Sequence, residues 1–169
     1  MLNFLFRRLT DTNPAGALLF AAVTAEARQP HWYVEGKVPD TIDGRFAVLA
    51  TLTALVLVRL EGLGEAGNVE SVALTERFIT VMESEHRELG MGDPTLGKKV
   101  RRLVGSLAKR VELWRGAVAA GDWLDATRQS VYKSEAGPEA VQHSCQALER
   151  FWLRLEKTDL EAIAEGKFD

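Results

Sequence analysis

The chain has 169 residues, enough for one domain with a sizeable core, and 46% of them are apolar. A formal net charge of −3 gives no global reason to expect DNA as a partner. One cysteine, Cys145, excludes an internal disulfide, and one Cys with three scattered His excludes a zinc-ligand pattern.

In chain order, residues 1–13 read as an N-terminal amphipathic segment, with Leu2, Leu5, Phe6 and Leu9 on one side and Arg7 and Arg8 beside it. Such a stripe either lies on a membrane surface or packs on the domain. It lacks the long apolar run of a secretory signal. Asn13-Pro14 is a helix start signal, and the next helix runs to Ala27 with Leu18, Leu19, Ala22 and Val23 inward. Residues 28–44 are irregular, because Pro30, Gly36, Pro39 and Gly44 interrupt any long helix. This stretch holds His31, Trp32 and Tyr33 side by side. Two readings stay open: a loop strapped onto the core by Trp32 and Tyr33, or an aromatic-lined mouth. Asp40 or Thr41 can cap the following helix, and Asp40 and Asp43 suit its positive end.

Phe46 to Leu60 is apolar nearly all round a helical wheel at roughly 100° per residue. It is shorter than the roughly 20 residues that span a bilayer, so it reads as a buried central helix of a soluble domain. Gly62, Gly64 and Gly67 form a flexible connection. Val69 to Leu89 is the next helix, with Val72, Leu74, Phe78, Ile79, Val81, Met82 and Leu89 on one arc. His86 on that arc reads as a hydrogen-bonded core residue. Gly90 and Asp93 are cap signals.

Leu96 to about Ala120 carries an apolar stripe of Leu96, Val100, Leu103, Val104, Leu107 and Val111. Lys98, Arg102 and Lys109 fall on the opposite face, with Lys99, Arg101 and Arg110 on its flanks. This basic stripe suits anionic lipid, RNA phosphates or an acidic partner; equally, it is a solvated face balanced by acids elsewhere. A short helix covers Trp123 to Tyr132. The last long helix opens at Gly137-Pro138 with an inward stripe of Val141, Cys145, Leu148, Trp152 and Leu155. Cys145 reads as a small buried hydrophobe. Residues 14–157 thus form the helical domain, and 158–169 an acidic C-terminal tail expected to pack weakly. The fold class is all-α: one irregular bundle of six to eight helices around the buried helix 46–60.

Pattern alone stops at a helical domain without visible catalytic machinery, but two stretches carry a resemblance. Arg28-x-Pro30-x-Trp32-Tyr33 followed by Val38-Pro39-Asp40-Thr41-x-Asp43-Gly44-Arg45-Phe46 resembles a signature of the ubiquinol–cytochrome c chaperone family. Arg87-Glu88-x-Gly90-x-Gly92-Asp93, then Gly97-Lys98-Lys99-Val100, is similar to its second signature, and Arg128 to Tyr132 resembles a third, weaker block. The chain departs from the family pattern at His86, Pro94 and Ser130.

The resemblance implies an assembly factor of the compact bacterial type, not an enzyme, and no cofactor. Its client would be newly made cytochrome b or a similar multi-helix membrane subunit. A small helper protein, the ribosome and the membrane surface are further partners it suggests. Candidate client-binding residues are His31, Trp32, Tyr33, Asp40, Asp43, Arg45, Arg87 and Asp93. The candidate lipid, RNA or partner surface is Lys98, Lys99, Arg101, Arg102, Lys109 and Arg110. The expected location is the bacterial cytoplasm, peripheral on the cytoplasmic face of the inner membrane. Two other readings of the residues are a carrier or enzyme for a small hydrophobic ligand such as a quinone, and a peripheral membrane or ribosome adaptor.

Overall fold

The structure, a computed structural model, describes residues 16–132 and 136–168, and among these it contains eight helices and no strand. In chain order they are α1 (Ala17–Ala27), α2 (His31–Val34), α3 (Ile42–Glu61), α4 (Gly64–Glu88), α5 (Asp93–Ala120), α6 (Trp123–Val131), α7 (Pro138–Lys157) and α8 (Leu160–Ala164). The amphipathic segment 1–13 and the Asn13-Pro14 start signal lie outside the described residues.

The central apolar run forms α3, which begins four residues before Phe46 because Thr41 supplies the cap. Its side chain accepts a hydrogen bond from the Gly44 backbone N–H at 3.1 Å. Ala50, Leu52, Ala54, Leu55, Val56 and Leu60 are all fully buried. Helices α1, α4, α5, α6 and α7 all pack on α3, with α5 making the broadest contact. The two threonines inside the run are satisfied by their own helix: Thr51 donates to Ala47 O at 2.7 Å and Thr53 to Leu49 O at 2.8 Å. Arg59 is the other polar interruption. Its guanidinium donates to Leu155 O at 3.0 Å, Glu156 O at 3.4 Å and Thr158 O at 3.5 Å, so it satisfies the open carbonyls at the end of α7.

A buried polar cluster ties three helices together. Ser130 of α6 shares a 2.6 Å hydrogen bond with Thr51 of α3 and receives the indole N–H of Trp114 from α5 at 3.0 Å. Arg110 of α5 donates to Ser130 O through Nε at 3.2 Å and Nη2 at 2.8 Å. Its guanidinium also lies 5.8 Å from the centre of the Phe46 ring. Arg110 therefore does not belong to the basic surface expected of it. It turns inward because a buried carbonyl, a hydroxyl and a ring face meet its donors there.

Helix α4 begins at Gly64 rather than Val69, since the glycine-rich connection itself coils into the first turn. The buried side is the row Leu74, Phe78, Met82 and His86, spaced four apart. Val72 is 58% exposed, on the far side of the helix from that row, and Leu89 is 60% exposed because the helix ends before it reaches a neighbour. His86 is buried, and its Nδ1 sits 2.7 Å from Met82 O, as expected of a hydrogen-bonded core histidine. Cys145 is buried on α7, where desolvation pushes its thiol pKa up.

The C-terminal tail departs from expectation. Asp159 caps α8 by accepting from Ala162 N at 2.9 Å, Ile163 is fully buried, and the Phe168 ring meets Phe151 edge-on at 5.6 Å. Helix α8 lies against α1 and α4. Two apolar residues within an acidic stretch suffice to dock it, because each buries most of its surface.

The irregular stretch 28–44 is held by side chains rather than by length of helix. Trp32 is fully buried and its indole donates to Glu26 O at 2.9 Å, while Tyr33 donates to Ala27 O at 2.9 Å. The Tyr132 hydroxyl lies 2.6 Å from Gly36 O, 2.9 Å from Ala140 O and 2.8 Å from Ser144 Oγ, joining this stretch to α7. His31 Nδ1 stands 3.1 Å from His143 Nε2 of α7.

Two predictions follow from this packing. A Cβ on buried Gly67 would sit 2.1 Å from Leu60 O, where α4 turns back against the end of α3, whereas one on exposed Gly116 would meet nothing within 4 Å. Gly67→Ala is expected to destabilise the fold by about 1–3 kcal/mol, and Gly116→Ala to stabilise it by about 1 kcal/mol. Equilibrium denaturation of both variants checks the opposite signs. The second concerns the histidine pair. Burial, then the neighbouring His143, hold His31 below its ordinary value near 6.5; Arg150 acts in the same direction, and Glu26 and Glu35 oppose it. The unfolded chain therefore takes up a proton first as pH falls, and stability present above pH 6.5 is lost below it. His143→Gln is expected to reduce the drop in Tm between about pH 7.5 and pH 5. An unchanged drop would show that the pair does not set it.

Candidate functional site

The sheath around α3 is incomplete at its first turns. Phe46 and Leu49 are only partly buried there, although residues 50–57 are all buried. The opening is a cavity of about 560 Å³ bounded by the end of α1, α2, the start of α3, the second half of α4 and the first half of α5. Its floor is apolar: Ala27, Phe46, Leu49, Met82 and Leu103. Phe46 is fixed by Phe78, with ring centres 6.1 Å apart, and by the Arg110 guanidinium. The rim carries both signs of charge, with Arg28, Arg45 and Lys99 against Asp40, Asp43 and Glu85.

Local sequence explains how these side chains arrive. Gly44 allows α3 to start directly under the preceding loop, because a Cβ there would lie 1.9 Å from Pro39 O. Thr41 then caps the helix, and the two flanking residues, Asp40 and Arg45, reach across the first turn to pair at 2.6 Å. The hydrogen bond from Arg45 holds the Asp40 carboxyl below the usual carboxylate range and raises Arg45 further. Both groups are exposed, so the pair is readily exchanged for another charge. Tyr33 forms a side wall; burial raises its phenol above the ordinary value.

Among the expected client-binding residues, Tyr33, Asp40, Asp43 and Arg45 converge on this cavity, joined by Lys99 from the basic helix. Trp32 does not line it, because the indole is wholly buried in the core beneath. His31 faces the other way, onto an open depression of about 530 Å³ shared with Glu26, Arg150, Arg154 and Lys157. Arg87 and Asp93 are exposed beyond the cavity wall. Lys98, Arg101, Arg102 and Lys109 are exposed along α5. The pattern did not single out Arg28, Glu85, Met82 or Leu103 as site residues, nor Phe46 and Leu49. In an all-apolar helix nothing local marks the two positions left uncovered. Among the described residues no group of three or more His, Cys, Asp or Glu side chains is placed to hold a metal ion, and no helix is long and apolar enough to cross a membrane.

Comparison with known proteins gives the family. Residues 34–169 match the family described as ubiquinol-cytochrome C chaperone. The fold is similar to the crystal structure of the Cbp3 homolog from Brucella abortus, at 28% identity and a TM-score of 0.76, covering 100% of this chain and 96% of that one. A search of curated proteins returns no match. The family match spans the α3–α8 framework and most of the cavity lining, and on it the chain belongs to the ubiquinol–cytochrome c chaperone family.

Proposed function

We propose that this chaperone holds newly made cytochrome b, or a similar multi-helix membrane subunit, at the cavity beside the start of α3 during assembly of the ubiquinol–cytochrome c reductase. The observation that carries this reading is the convergence of Tyr33, Asp40, Asp43 and Arg45, scattered in a loop and a helix start, on one partly apolar cavity. A membrane subunit outside the bilayer exposes apolar helix surface and Lys/Arg-rich loops. The apolar floor shields part of the first, and Asp40 and Asp43 meet the second, Asp40 by giving up its exposed pairing with Arg45. The work is binding, with no bond made or broken.

The exposed face of Lys98, Arg101, Arg102 and Lys109 supports a second contact, to an anionic surface. Near an anionic membrane each such charge contributes about 1 kcal/mol, screened within a Debye length. That contact keeps the chaperone peripheral on the cytoplasmic face of the membrane, where the client emerges, and ribosomal RNA offers the same phosphate chemistry. A small helper protein is a further partner of this reading.

The test is photocrosslinking in cells from Ile42, which is 66% exposed on the cavity wall, with a control probe at Leu153, 51% exposed at the His31 depression. Capture of cytochrome b from Ile42 and not from Leu153 is the expected result. Equal capture at both sites, or none at Ile42 while the client is being made, would remove the cavity from the mechanism. Separately, Lys98→Glu with Arg102→Glu and Lys109→Glu is expected to abolish sedimentation with anionic vesicles at low salt, while wild-type binding falls steeply as salt rises.

A further inference from the structure

The open depression that His31 faces gathers positive charge. Arg150, Arg154 and Lys157 follow one another along one side of α7, each about one turn from the next, and their backbone positions span about 10 Å. Across from them lie Glu26 at the end of α1 and His31 of α2. Glu26 is the one acid in the lining, and it is already engaged: Arg154 Nη2 donates to its carboxylate at 2.9 Å. The same guanidinium stands 5.5 Å from the centre of the Phe151 ring, which holds it against α7. Arg150 and Lys157 are exposed and have no ion-pair partner among the described residues. Like charges three and four residues apart on a helix repel, so this row costs stability until an anion offsets it. Arg150 also acts on the histidine. After burial and His143, it is a further cause that holds His31 below its ordinary value, against Glu26 and Glu35.

We propose that this depression binds the phosphate chain of a small soluble di- or triphosphate, with Arg150 and Lys157 as its main contacts and Arg154 between them. The site is separate from the client cavity and does not depend on the client reading. A single carboxylate is too short to serve the whole row. A phosphate chain carries several charges along its length and presents oxygens on every side, so one molecule meets both free cations. The planar guanidinium of Arg150 suits paired hydrogen bonds to two phosphate oxygens, and the Lys157 ammonium acts as a point charge. The floor beneath is the small, buried Ala147, and the volume of about 530 Å³ leaves room for the chain. The row lies on α7, so it is distinct from the exposed cations of α5.

The probe is inorganic tripolyphosphate, added to the full chain without divalent cations and followed by calorimetry at about 0.1 M salt, where distant exposed charges are screened. Binding of one molecule per chain is expected. Arg150→Gln with Lys157→Gln is expected to weaken it by about tenfold or more, since two charge-assisted contacts are lost. Both positions are exposed, so the fold is retained. Lys98→Gln with Arg102→Gln removes the same charge from α5 and is expected to leave the affinity unchanged. A bound anion also offsets Arg150, so the His31 ring, assigned in the NMR spectrum by its loss in His31→Gln, is expected to titrate at higher pH with tripolyphosphate present. No binding, equal weakening by the two double variants, or an unmoved His31 titration overturns the proposal. So does tripolyphosphate that fails to bind while Arg150→Gln with Lys157→Gln abolishes sedimentation with phosphatidylglycerol vesicles, which would give the row to lipid headgroups.

Discussion

The structure depends on burying one helix that has almost no polar face. Most soluble helices hide a stripe; α3 must hide nearly its whole circumference, and five helices are needed to do it. Its few polar atoms become fastening points. Thr51 joins the cluster with Ser130 and Trp114, and Arg59 leaves the apolar surface to complete the end of α7. Where the surrounding helices diverge, at the first turns of α3, the sheath stays open, and that gap is the cavity.

A second level of organisation comes from the loop before α3. It cannot be long regular helix, yet it must stay in place, because it forms one wall of the opening. Trp32 anchors it from below, Tyr132 bonds it to α7 from the side, and Tyr33 faces the cavity. The three adjacent residues His31, Trp32 and Tyr33 thus point to three different surroundings: a surface depression, the core and the cavity. A single helical turn suffices for this, since successive side chains on it diverge by roughly 100°.

The chemistry of the opening suits transient holding. Its floor is apolar but small, its rim pairs are exposed, and its charges are mixed, so no single strong interaction fixes an occupant. On the proposed reading, a chaperone that must release its client benefits from such weak, exchangeable contacts, and the cationic face of α5 would add an attraction to an anionic surface that salt and distance modulate.

The sequence by itself determined the helical class, the identity of the buried central helix, the inward stripes of α5 and α7, and the family resemblance that the match over residues 34–169 bears out. These are legible because apolar periodicity and cap residues act within one helix. Tertiary structure alone decided that Trp32 is core, that Arg110 turns inward to Ser130, that the acidic tail docks through Ile163 and Phe168, and that Arg28, Phe46, Leu49, Met82 and His86 share one cavity. Each of those outcomes depends on residues distant in the chain. Whether a side chain is covered is a property of its neighbours in space, and the pattern along one helix cannot report a gap between five.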